Sequence, residues 1–95
     1  MEVRWTPQAA DDLQAIYDFI ARDSPHYAQL TVETILAAID RLQQFPLMGR
    51  QIPERVRDDL RELIKPPYRI VYRVDKAIKI LTIFRSSRLF PSILE

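Results

Sequence analysis

Cysteine is absent from this chain of 95 residues, and histidine and glycine each occur once. Each shortage removes a class of chemistry. Without thiols there is no disulfide framework and no Cys-type zinc site, and a single histidine cannot build a multi-His metal cluster. A hydrolase that relies on a histidine base has only His26 to use. The lone glycine lies in Met48-Gly49-Arg50, a segment too poor in glycine to cradle a phosphate. No apolar run approaches the ~20 residues that span a bilayer, and the N-terminus lacks a basic stretch followed by an apolar one. A cytoplasmic protein with no membrane segment, no metal and no cofactor is expected.

What remains is an ordinary globular balance, 47% apolar and 28% charged, which excludes a disordered chain. So short a chain cannot close two cores, so residues 1–95 are read as one domain. Its net charge of +1 hides an asymmetry. Before residue 50 three bases face seven acids, and from residue 50 onward eleven bases face six. The second half is therefore suited to an acidic partner, either nucleic acid or an acidic peptide.

Residues 2–5 alternate polar and apolar, which predicts a short strand. Thr6-Pro7 then reads as a helix start, with Thr6 as the cap and Pro7 losing no useful N–H. Ala9, Leu13, Ile16, Tyr17 and Ile20 recur at steps of three and four, so the spacing predicts an amphipathic helix over 7–22. Ser24-Pro25 repeats the signal for a second helix carrying Ala28, Val32, Ile35, Ile39 and Leu42, its stripe widened by Leu36 and Phe45 until Pro46 stops it. Residues 46–59 read as a loop. From Leu60 the period becomes two, and runs at 60–65, 68–74 and 78–84 imply a meander of three antiparallel strands. The resulting fold class is α+β, in the order β-αα-βββ, with an antiparallel sheet and a helical hairpin packed on one of its faces.

Strict alternation sends Tyr68, Ile70, Tyr72, Val74, Ile78, Ile80, Thr82 and Phe84 to the core. It puts Arg69, Val71, Arg73, Leu81, Ile83 and Arg85 on the opposite face, too apolar for plain solvent surface and too charged for a second core. Singly, each arginine reads as easily as a solvated sheet residue. Their concentration, with Arg61 and Arg88 in the same region, points to a partner with apolar anchors and carboxylates. The same partly apolar face makes self-association plausible when the partner is absent. His26 reads as a surface or capping residue, and Trp5, Tyr17 and Tyr27 as packing residues. No spacing brings Glu54 and Glu62 together as a carboxylate pair.

Several segments, in order, resemble the RelE/ParE superfamily of bacterial toxins from type II toxin–antitoxin (plasmid stabilisation) modules. They are Trp5-Thr6-Pro7 with Ala9, Asp12-Leu13 and Ile16; Asp23-Ser24-Pro25 with Ala28; Leu42 with Phe45-Pro46 and Met48-Gly49-Arg50; Arg61-Glu62-Leu63; Tyr68-Arg69-Ile70-Val71-Tyr72-Arg73; and Ile80-Leu81 with Arg85 and Arg88. The resemblance covers nearly the whole chain, and β-αα-βββ is also that family's fold. It implies a growth-arresting toxin neutralised by a cognate antitoxin that matches acidic residues to the toxin's arginines. Antitoxin or target binding is accordingly expected at Arg61, Arg69, Val71, Arg73, Leu81, Ile83, Arg85 and Arg88.

Two activities divide the superfamily. RelE-like members cleave mRNA on the ribosome without a metal, using lysines, arginines and often a C-terminal tyrosine, whereas ParE-like members inhibit DNA gyrase. This chain resembles the second branch more. Glu62 stands where RNA-cleaving relatives tend to place lysine, and residues 88–95 contain no tyrosine. Arg69 and Arg85 match basic positions of the nucleases, so a nuclease would draw on Arg69, Arg85 and Glu62, with the ribosome and mRNA as partners. A decayed toxin that only binds antitoxin is the third reading.

Overall fold

The computed structural model describes residues 1–91, so positions 92–95 of the C-terminal stretch singled out above lie outside the described residues. The chain runs β1 (Val3–Trp5), α1 (Pro7–Ala21), α2 (Pro25–Asp40), a 3-10 turn (Arg41–Gln43), β2 (Arg50–Gln51), β3 (Leu60–Lys65), β4 (Tyr68–Val74) and β5 (Ile78–Arg85). Two helices pack on one open five-stranded sheet of order β1-β5-β4-β3-β2. Both helix starts follow from the sequence. Thr6 Oγ1 accepts from the Ala9 N–H and Ser24 Oγ from the Tyr27 N–H, each at 3.1 Å, with a proline just inside each cap.

The sheet is antiparallel except at β1, which pairs parallel with β5 from Val3↔Ile78 to Trp5↔Ile80. Past Ile80 the edge of β5 is covered by α1. The Thr6 hydroxyl donates to the Ile80 carbonyl at 2.9 Å, and the Asp12 carboxylate accepts from the Ile83 N–H at 3.0 Å and from the Thr82 hydroxyl. These bonds satisfy ladder groups that an open edge would leave to another chain. The 46–59 segment, read above as loop, contains β2, whose two residues are too few to show an alternating pattern.

The larger departure from the sequence reading is a bulge. Val71 pairs with Thr82 but Tyr72 pairs with Ile80, so Leu81 is the extra residue in β5. One inserted residue reverses the alternation beyond it. Ile83 therefore joins Ile70 on the helix side, in the core formed with Ile35, Ile39, Leu42, Tyr72 and Ile80. Arg85 pairs with Tyr68 and turns the same way, while Phe84 pairs with Arg69 on the other face. The expected grouping of Ile83 and Arg85 with Arg69, Val71 and Arg73 is thus corrected. So is the character of that other face, because Ile52, Leu60, Val71 and Phe84 form a second small core there, partly covered by Leu81 and Phe90. Val71, expected on an open binding face, is wholly buried within it.

Two helical expectations also change. Leu36 and Phe45 are exposed rather than widening the buried stripe, and the ring of Tyr27 stands out from the start of α2 instead of packing in the hairpin. Among the described residues no helix is long and apolar enough to cross a membrane.

Candidate functional site

On the face away from the helices, the register fixes which charges meet. Glu62 pairs with Val71 in the β3–β4 ladder and with Arg50 in the β2–β3 ladder, and Arg69 sits two residues before Val71 on the same face. The Arg69 Nε donates to Glu62 Oε1 at 2.6 Å, while its two terminal nitrogens grip Glu54 Oε2 and Oε1 at 2.9 and 2.8 Å. Arg50 Nε donates to the other Glu62 oxygen at 2.7 Å. Two arginines and two glutamates thus form one chain of charge-assisted bonds, and every nitrogen of the Arg69 guanidinium has a carboxylate partner. Phe84 and Phe90 enclose it, with the guanidinium carbon 5.3 and 5.4 Å from their ring centres and the rings edge to face.

The electrostatics agree with that geometry. The Arg69 hydrogen bond holds the Glu54 carboxyl at about 2, well below the ordinary carboxylate range. The Glu54 bond in turn raises Arg69 above its usual value. The Glu62 side chain is entirely shielded from solvent, and its two oxygens are met by the two arginines instead of water.

Next to this network the only glycine has a packing role. The Tyr72 hydroxyl accepts from the Gly49 N–H and donates to the Pro46 carbonyl, both at 2.9 Å, and Arg61 donates to the Gly49 carbonyl at 2.9 Å. A Cβ at Gly49 would lie 2.6 Å from the Tyr72 hydroxyl oxygen and 2.7 Å from the Glu62 carbonyl oxygen. Burial raises the Tyr72 phenol above its ordinary value, which keeps it a neutral donor to Pro46. The Phe45-Pro46…Met48-Gly49-Arg50 segment is thereby pinned against β3 and β4.

Comparison with known proteins places this arrangement. A family model described as the ParE toxin of the type II toxin–antitoxin system, parDE, matches residues 3–90. The chain belongs to the ParE toxin family. It is 35% identical over 94 residues to the protein named toxin Y4kP of Sinorhizobium fredii, covering 97% of this chain and 95% of that one. With Toxin RelE2 of Caulobacter vibrioides it shares 36% over 89 residues, covering 93% and 98%. Among solved structures it matches the chromosomal ParDE system from P. aeruginosa with a TM-score of 0.75 and 36% identity, over 90% of this chain and 95% of that one. Membership implies a cognate antitoxin as partner.

The toxin fold separates the residues that the sequence reading grouped. Arg69 and Glu62 are joined in the network, Arg61 is tied to the Gly49 carbonyl, and Ile83 is core. Arg73 and Leu81 are half-buried. Arg85 and Arg88 are exposed, Arg85 with its guanidinium carbon 5.8 Å from the Tyr68 ring centre on the helix side. Sequence reasoning found no spacing that brings Glu54 and Glu62 together, yet both bind Arg69, and it missed Phe90. Glu54 follows Pro53 in an irregular loop, where no periodicity predicts a partner, and Phe90 lies beyond the last strand. Among the described residues no group of three or more His, Asp or Glu could hold a metal ion.

Proposed function

We propose that this toxin inhibits DNA gyrase as a protein ligand in the cytoplasm, and that it is neutralised there by its antitoxin. The observation carrying this reading is the separation of Arg69 and Glu62 from Arg85. Metal-free RNA cleavage needs a base for the 2′-hydroxyl, an acid for the leaving oxygen and cations for the phosphorane charge, all within reach of one phosphate. Here the candidate base Glu62 and the candidate cation Arg69 are bonded to each other and buried, and Arg85 lies across the sheet from them. A binding surface suits the remaining exposed residues better than a reaction centre does.

The test is supercoiling of relaxed plasmid by gyrase with purified toxin, alone and after adding antitoxin. Inhibition with accumulation of cleaved DNA, reversed by antitoxin, is the expected result. Uninhibited gyrase together with mRNA cleavage on ribosomes would replace this reading with the nuclease one, and neither activity would leave a toxin that only binds antitoxin.

A further inference from the structure

The sheet ends on one side at β1, and the register shows which of its backbone groups are already bonded. The Ile78 N–H donates to the Glu2 carbonyl at 2.8 Å and the Thr6 N–H to the Ile80 carbonyl at 3.1 Å. With Val3↔Ile78 to Trp5↔Ile80 in parallel, Glu2, Arg4 and Thr6 turn their backbone groups toward β5. Val3 and Trp5 turn theirs outward, where no strand of the described residues pairs. The bonds from Thr6 and α1 that cover β5 past Ile80 do not reach this edge. Side chains along it sort by face. Val3 and Trp5 pack on the helix side, preceded by Met1, which is 49% exposed. Glu2 and Arg4 stand on the other face, 63% and 60% exposed, and are bonded to each other at 3.1 Å.

We propose that the outer edge of β1 pairs antiparallel with the same edge of a second copy of the toxin, in the register that sets Val3 against Val3. Val3 of each copy then donates to and accepts from Val3 of the other, and the ladder continues with Trp5 against Met1 of the second copy. On the exposed face Glu2 meets Arg4 of the second copy while Arg4 meets its Glu2, so the ion pair within each chain joins its counterpart. Either neighbouring register sets Arg4 against Arg4 or Glu2 against Glu2, and like charges directly opposite are destabilising. On the helix side Val3 meets Val3 and Met1 meets Trp5, which covers apolar atoms where Leu36, 42% exposed, lines a groove with Trp5. A second copy is favoured over any other occupant because the antiparallel complement of Glu2-Val3-Arg4 is Glu2-Val3-Arg4 itself. Charges on a short edge strand ordinarily repel another strand, but these two attract their own copy. The interface is small, so association is weak and concentration-dependent. It does not depend on which target the toxin has.

The test is sedimentation equilibrium of full-length toxin without antitoxin, from micromolar to millimolar concentration, with antitoxin complex formation read separately for each variant. Wild type is expected to show a reversible monomer–dimer equilibrium. Glu2→Arg alone and Arg4→Glu alone each set like charges against each other, and each is expected to weaken the dimer at least tenfold. An equimolar mixture of the two single variants restores opposite charges at both positions and is expected to dimerise like wild type, as is the double variant in which the charges are exchanged. Val3→Pro removes the outward N–H without removing a β1–β5 bond, and is expected to weaken the dimer as much. Both charge changes fall on exposed side chains, so they decide the question even if the proline variant does not fold. A wild-type toxin that stays monomeric throughout the range overturns the proposal. A dimer that the single charge variants leave intact overturns it in favour of another face, and a mixture that fails to restore the dimer overturns the register. Variants that lose the antitoxin complex while wild type forms no dimer assign the edge to the antitoxin and overturn the proposal as well.

Discussion

The arginines of the sheet fall into two groups whose circumstances differ more than their sequence neighbourhoods suggest. Arg69 has 8% of its side chain exposed and is held by two glutamates and two phenylalanine rings. Arg85, paired with the adjacent Tyr68 in the next strand, is exposed and has no carboxylate partner among the described residues. Clustered positive charge in a sequence is therefore not a measure of charge available to a partner. What decides availability is which acids the loops bring in and which way each strand position turns.

The contrast can be broken most severely at Arg69. Arg69→Ala leaves Glu62 buried with Arg50 as its one cation among the described residues, and is expected to cost about 3–5 kcal/mol in urea unfolding. Gly49→Ala should come next, at about 1–3 kcal/mol, because Tyr72 or the β3 backbone must move to admit the methyl group. Restored stability on adding Tyr72→Phe would not be expected, since the ring carbon at 2.8 Å still blocks the site.

Acid titration sharpens the same comparison. The folded value of Glu54, about 2, lies below the ~4.3 of a free glutamate, so its contribution is complete above the free value and disappears as pH falls through the folded one. The toxin should lose stability between roughly pH 4.5 and 2, and Glu54→Gln should flatten part of that fall while lowering stability at pH 7. An unchanged slope between wild type and variant would detach Glu54 from Arg69. The smallest effect is expected at the other group, where Arg85→Ala should change the unfolding free energy measured in urea by no more than about 0.5 kcal/mol.

Much of the scaffold was legible in the sequence, for physical reasons that are local. Thr6-Pro7 and Ser24-Pro25 each carry a cap and a preset φ, so both helix starts could be read directly. The runs from Leu60 onward show period two, so all three long strands could be read as well. The candidate site was less legible because it depends on register. No residue type announces a bulge at Leu81, yet that single insertion moves Ile83 into the core and Arg85 to the helix side. The partnership of Glu54 with Arg69 spans a 15-residue separation through irregular chain, and neither helical nor strand periodicity reports such a contact. The parallel pairing of β1 with β5 was hidden for the same reason, since nothing in three residues names a partner 75 positions away.

The most direct test of this division is hydrogen exchange at the arginine Nε–H groups, followed by NMR on the free toxin. The Arg69 Nε–H, buried and donating to Glu62, should exchange far more slowly than that of Arg85, and Glu54→Gln should accelerate it. Equal exchange at Arg69 and Arg85 would contradict the account, because it would mean that both guanidinium groups are open to solvent and that the inner arginine is as available to a partner as the outer one.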